Sequence, residues 1–205
     1  MPSIYNKIIK NILDKVFPKY CLFCQTSKLL LCENCEQQLA INSSPLPSWI
    51  QTRYSYEDEN VRKIIFKIKY NHTPDLGTEI GAYCAPHINI NNSILVPIPI
   101  SKQRQNKRGY NQALYISRGI SDTATIDILE RVRDTQKLFT TKHRDNRATE
   151  IKDSFAVKDE YREYVKNKNI ILIDDITTTG ATLFEARNTL LKAGAQSIRA
   201  FTIAH

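Results

Sequence analysis

Four consecutive apolar β-formers, Ile170 to Ile173, have no polar residue among them. Such a run predicts a strand buried on both faces, as in the middle of a parallel sheet. Two carboxylates, Asp174 and Asp175, follow, then Thr177 to Gly180, and then a helical pattern through Leu183, Phe184, Ala186, Leu190 and Leu191. The order is strand, acidic edge, hydroxyl-rich turn, helix. Further strands are predicted at Thr52–Tyr56, Ile94–Ile98, within Ile126–Val132, at Ser154–Val157 and at Ser197–Ile203. Val61, Ile64, Ile65 and Ile68 mark a helix ending near Asn71. Pro74–Cys84 reads as a second, with Leu76, Ile80, Tyr83 and Cys84 inward, and Ala113, Leu114, Ile116 and Ile120 mark a third. Lys158–Lys168 reads as a charged turn or short helix. Residues 2 to 17 carry Ile4, Ile8, Ile9, Ile12, Leu13 and Val16 at helical spacing, with Lys7, Lys10 and Lys15 on other faces. That helix packs on the body or rests on a membrane surface or a partner. Strands separated by helices predict an α/β fold with a doubly wound parallel sheet. Its site would lie at the carboxyl ends of the strands, where Asp174, Thr177 and Ser101 meet.

The cysteines add a second module. Cys21-x-x-Cys24 is followed after seven residues by Cys32-x-x-Cys35. Two such knuckles bring four thiolates to one point, which predicts a structural zinc site with no open position for catalysis. A pair of disulfides is the alternative, disfavoured in a cytosolic chain. Metal would supply the stability that so short a segment cannot obtain by burial. Cys84 falls in a helical pattern and reads as core. The plan is therefore a zinc module with its leading helix over 1–45, a linker around Ser43-Ser44-Pro45-Leu46-Pro47, and an α/β domain over 50–205.

Composition narrows the class. A chain of 205 residues with 41% hydrophobic and 24% charged residues is a globular protein, with no apolar run near the length of a membrane span. With no recognisable signal peptide, a cytoplasmic location is expected. The formal charge of +8 would attract nucleic acid, an acidic membrane surface or a polyphosphate, and does not choose among them.

The turn after Asp175 points backbone N–H groups and a helix N-terminus at one spot, which suits phosphate. Thr177, Thr178, Thr179 and Thr182 offer hydroxyl donors, and Gly180 lets the backbone approach closely. Carboxylates beside a phosphate cradle suit sugar hydroxyls or a magnesium ion. The stretch from Ile170 to Thr182 resembles the ribose-phosphate motif of the type I phosphoribosyltransferases, which hold 5-phosphoribosyl-1-pyrophosphate (PRPP). The resemblance implies that Ile176, Thr177, Thr178, Thr179, Gly180, Ala181 and Thr182 surround the 5′-phosphate. It also implies that Asp174 and Asp175 hold the ribose hydroxyls and are the candidate catalytic residues, one of them moving a proton in any phosphoribosyl transfer.

A second motif narrows the resemblance. Val96-Pro97-Ile98-Pro99-Ile100-Ser101-Lys102 leads into a basic segment, Gln103 to Gln112, containing Arg108-Gly109-Tyr110-Asn111-Gln112. Together with the four cysteines and the phosphate turn, in that order, this is similar to the signature of the ComF family. The resemblance covers nearly the whole chain. It implies that Pro99, Ile100, Ser101 and Lys102 bind the pyrophosphate of PRPP, with magnesium, and that a mobile loop near Arg131–Arg147 closes over it. Arg144 and Arg147 are candidate clamps in that loop. Lys102, Arg104, Lys107 and Arg108 supply cations for a leaving group gaining negative charge, or for nucleic-acid phosphates.

Three functions remain open at this level. One is a DNA-uptake factor of natural transformation, implied by the family, that handles single-stranded DNA beside the inner-membrane uptake machinery. The second is a nucleobase-salvage transferase with an unidentified acceptor. The third is a non-catalytic PRPP sensor. The first accounts for zinc motif, charge and phosphate turn together.

Overall fold

The computed structural model describes residues 18–26, 28–132 and 153–205. The predicted helix over 2–17 and the segment containing Arg133, Gln136, Arg144 and Arg147 lie outside the described residues. The chain divides into two compact units, Met1–Leu39 and Ala40–His205. The division precedes the expected linker because residues 40–42 are tied into the larger unit. The Ala40 N–H donates to Asp58 Oδ2 at 2.7 Å, and Asn42 N–H donates to the Arg53 carbonyl at 3.0 Å.

In the smaller unit one short helix, α1 (Glu33–Glu36), starts from Cys32. The larger unit runs β1 (Ile50–Tyr54), α2 (Glu59–Tyr70), α3 (Pro74–Cys84), β2 (Ser93–Pro97), α4 (Lys102–Arg108) and α5 (Gln112–Ser121). It continues with β3 (Leu129–Arg131), β4 (Phe155–Val157), α6 (Arg162–Val165), β5 (Asn169–Ile176), α7 (Ala181–Lys192) and β6 (Ser197–Ala204).

Four strands form one parallel sheet in the order β1-β6-β5-β2. The run Ile170–Ile173 sits in the centre with every residue buried, so the unbroken apolar stretch does mark a strand covered on both faces. Side chains alternate across a strand. Ile170 and Leu172 share one core with Leu183, Ala186 and Leu190 of α7, while α5 lies against β5 on the opposite face.

The predicted strand within 126–132 is real but does not extend the main sheet. β3 pairs with β4 as an antiparallel ribbon whose Leu129, Phe155 and Val157 join the α7-side core. A single bridge, Thr125 to Leu95, is the point where that segment touches the edge of β2.

Helix termini are built where the sequence supplies caps. Asp58 Oδ1 accepts from Asn60 N–H at 2.7 Å at the start of α2. Burial pushes its pKa up, but the amides of Ala40, Asn60 and Val61 outweigh that and hold it below its ordinary value. α3 and α5 meet at backbone distance. A Cβ on Gly81 would lie 2.2 Å from the Ile116 carbonyl oxygen, and one on Gly119 would lie 2.1 Å from that of Thr78. The inward face of α3 is thus Leu76, Gly77, Ile80, Gly81 and Cys84; Tyr83, expected inward, is only half-buried.

Candidate functional site

β5 continues through both aspartates, with Asp174 opposite Thr202 and Ile176 opposite Ala204. The acidic pair is therefore the last part of the central strand rather than the start of a loop. Strand geometry sends adjacent side chains to opposite faces. Asp174 follows Ile170 and Leu172 toward the α7 side; Asp175 follows Ile171 and Ile173 toward the α2 and α5 side. Asp175 meets Lys69 there, with Nζ 3.0 Å from Oδ1 and both side chains largely covered. Lys69 lies in the last turn of α2, and nothing in the local sequence separates it from its exposed neighbours.

Asp174 keeps some accessible surface, yet the protein surrounds its carboxyl closely. That desolvation, with the negative charge of Asp175, raises it to about 7; the Asp175 N–H, Lys69 and Arg104 oppose the rise without cancelling it. The Asp175 N–H donates to Asp174 Oδ1 at 2.8 Å.

Thr177 is buried, its N–H donating to the Ala204 carbonyl at 3.1 Å, and its carbonyl lies 3.1 Å from His205 Nδ1. His205 thus braces the turn from behind, a role the sequence pattern does not signal. Thr178 and Thr179 are exposed. Gly180 has φ 74° and caps α7 without a side chain. Ala181 N–H reaches Thr179 Oγ1 at a long 3.4 Å, and Ala181 and Thr182 begin the helix. A turn of this kind leaves first-turn amides facing outward at the positive end of a twelve-residue helix.

The second predicted loop reaches the same edge of the sheet. Ile98 N–H donates to the Ile173 carbonyl at 2.9 Å, so the exit of β2 stays beside the exit of β5. The segment from Lys102 is a helix, with Ser101 as its cap: Ser101 is buried and its Oγ accepts from Arg104 N–H at 3.3 Å. Lys102 and Lys107 are exposed, and Arg104 is half-buried.

Arg108 to Gln112 act largely within the fold. Arg108 Nη1 donates to Gln112 Oε1 at 2.9 Å, and its guanidinium lies 5.3 Å from the centre of the Tyr70 ring. Gly109 takes φ 79° to end α4. The Tyr110 hydroxyl donates to the Ile68 carbonyl, and burial pushes that phenol up. Asn111 Oδ1 caps α5 through Ala113 N–H at 3.1 Å, while its Nδ2 donates to the Ile98 carbonyl at 3.0 Å. This motif joins α2, the β2 exit and α5.

In the smaller unit the Sγ atoms of Cys21, Cys24, Cys32 and Cys35 lie within 4.8 Å of one another. Four thiolates around a tetrahedral ion, each at ~2.3 Å, would stand about 3.8 Å apart, so the donors fit one metal. Cys21 O accepts from Gln25 N–H and Cys32 O from Cys35 N–H, so each knuckle closes on itself. The Thr26 hydroxyl, 3.0 Å from Cys24 Sγ, lowers that thiol to about 6; burial and the neighbouring sulfurs push Cys35 up to about 12.

A family model for the phosphoribosyl transferase domain matches residues 113–205. The chain is 28% identical over 202 residues to competence protein ComFC of Bacillus subtilis (strain 168), covering 95% of this chain and 81% of that protein. It is 32% identical over 114 residues to competence protein F of Haemophilus influenzae, covering 54% of this chain and 49% of that protein. A solved structure, the allosteric regulatory enzyme of purine biosynthesis, is similar over 67% of this chain and 30% of that chain, with TM-score 0.45 and 14% identity. The parallel sheet and the matched domain define a phosphoribosyltransferase-type α/β protein. With its four-cysteine cluster and competence-protein homologues, the chain resembles the ComF proteins over nearly its whole length. Those homologues support a role in competence. Among the described residues no helix is long and apolar enough to cross a membrane.

Proposed function

We propose that this protein binds PRPP at the carboxyl edge of its parallel sheet and handles single-stranded DNA during natural transformation. The observation that supports the first part most directly is the sequence of parts along β5. A carboxylate, Asp174, lies near the end of the strand; a turn rich in hydroxyls follows; and a glycine with φ 74° opens α7 without covering its amides. In this reading the turn from Thr177 to Thr182 takes the 5′-phosphate, and Asp174 accepts from a ribose hydroxyl. Asp175, already paired with Lys69, fixes the strand end and contributes to the hydroxyl site only through its exposed edge. Ser101, Lys102 and Arg104, brought alongside by the Ile98–Ile173 hydrogen bond, face the pyrophosphate end. Magnesium would accompany PRPP and neutralise its phosphates.

The four cysteines would hold zinc, closing the smaller unit as a rigid knuckle with no role in a chemical step. The cytoplasm, beside the inner-membrane uptake machinery, is where incoming single strands and PRPP would both be available.

Calorimetry with PRPP and magnesium on the wild type and on Asp174→Ala/Asp175→Ala tests the first part. Saturable binding lost in the double variant is expected; no heat with the wild type would overturn it. The position of Asp174 near the end of β5, beside the turn and with its carboxyl raised by burial and by Asp175, also suits proton transfer in a turnover reading. PRPP-dependent conversion of a free base to its nucleotide would establish that reading.

A further inference from the structure

We propose that the outward face of α2 is a base-stacking platform for single-stranded DNA, formed by Phe66 and Tyr70 and continued by Arg108. This deepens the DNA-handling part of the function proposed above and rests on it.

Val61, Ile64, Ile65 and Ile68 turn inward and leave the helix's other face to solvent. A plain surface helix would fill that face with polar side chains. Here Phe66 is 56% exposed and Tyr70 is 47% exposed. They stand four residues apart, one turn along the same face. Their ring centres lie 4.9 Å apart at 44°, forming one continuous aromatic surface. The Arg108 guanidinium extends it, 5.3 Å from the Tyr70 ring and anchored at its far side by Gln112. Single exposed apolar residues need no explanation, but two exposed rings and a stacked arginine held in register are a built surface.

The surroundings select the ligand. Arg62, Lys63 and Lys67 lie on the same helix, against one carboxylate, Glu59. α4, which ends at Arg108, carries Lys102, Arg104 and Lys107 with no carboxylate at all. A protein-docking surface is depleted of charge at its centre. Flat rings set among cations match a strand of bases on a phosphate backbone. Lys69 is turned away to Asp175, so the platform and the carboxylate edge lie on different sides of the same helical turn.

Fluorescence anisotropy of the full chain with labelled oligo(dT) tests this. Phe66→Ala and Tyr70→Ala should each weaken binding about 5- to 100-fold, the usual value of one stacked base. The salt dependence should stay as in the wild type, because no phosphate partner is lost. Phe66→Trp should retain binding, and a duplex of equal length should compete poorly. Thermal unfolding and PRPP calorimetry of the ring variants should match the wild type, showing that the fold and the nucleotide edge are intact. A wild type that binds oligo(dT) while both alanine variants bind it equally well would overturn the platform alone. A wild type indifferent to oligo(dT) would overturn the DNA reading itself, and the platform with it.

Discussion

Lys69 Nζ stands 3.0 Å from Asp175 Oδ1, joining the last turn of α2 to the end of the central strand. The pair is well covered, the two side chains keeping 19% and 9% of their surface. It divides the tandem aspartates into one that is neutralised inside the protein and one, Asp174, that is not. Lys69→Met would keep the aliphatic stem and remove the charge, leaving Asp175 facing a low-dielectric wall. Removing one partner of a fully buried pair costs about 3–5 kcal/mol; with Lys69 still partly wet, about 1–3 kcal/mol is expected. A urea titration reads this as a lower midpoint, and Lys69→Met/Asp175→Asn should recover most of it. An unchanged midpoint in the single variant would mean that the pair contributes nothing.

Asp174 should make stability depend on pH in a direction unusual for a carboxylate. Its folded value, about 7, lies above the ordinary 3.8 expected of the unfolded chain. Between those values the folded state holds a proton that the unfolded state has released. Stability therefore falls as pH rises through that window and levels off above it. Asp174→Asn removes this dependence. Thermal midpoints of the two proteins should diverge from pH 4 to 7 in that sense; parallel curves would show that the carboxyl is not raised.

The central strand, the turn that opens α7 and the four-cysteine cluster were legible in the sequence because each depends on near neighbours. An unbroken apolar run, a hydroxyl-rich turn before a helix and two C-x-x-C knuckles specify their own geometry. What depended on distant partners was not legible. Lys69 reads as one of several lysines until the sheet brings Asp175 beside it. His205 shows its place behind Thr177 only once β6 pairs with β5. Gly81 and Gly119 read as weak points of two helices; they are where α3 and α5 touch. The contact of Arg108 with the Tyr70 ring, which together with Gln112 holds its guanidinium in place, also depends on an element distant in the chain and was not legible.

Gly180 offers a test of the turn that does not depend on a clash. A Cβ there would sit 3.4 Å from Phe184 Cε2 and 3.5 Å from Ile50 Cδ1, ordinary contacts. The obstacle is φ 74°, which costs an alanine about 1 kcal/mol or more. Gly180→Ala should therefore fold, with a modest loss of stability, while the turn relaxes and PRPP binding weakens. Gly180→Asn, which tolerates the left-handed region better, should lie between alanine and the wild type. Trp49, whose ring centre is 4.9 Å from that of Phe184, is the chain's one tryptophan and reports locally. Its fluorescence should change on adding PRPP to the wild type and respond less in Gly180→Ala. Equal affinities in all three proteins would remove the turn from the binding site.

The cysteine cluster should hold one zinc ion per chain, and its loss should be felt locally. Residues 1–39 form a compact unit of their own, with a four-residue helix as its regular element among the described residues. Among the described residues of that unit, so little regular structure leaves few apolar contacts to hold the knuckles once the ion is gone. The body has its own core and does not need the metal. Native mass spectrometry should show the mass of one zinc ion, lost in Cys32→Ser. A strong chelator should expose four thiols to a thiol reagent while Cys84, fully buried in α3, stays unreactive until the whole chain unfolds. Far-ultraviolet dichroism should barely change, because the helices and strands of the sheet domain remain. If Cys84 reacted together with the other four, metal loss would be unfolding the entire protein, and the structural role assigned to the site would extend to the sheet itself.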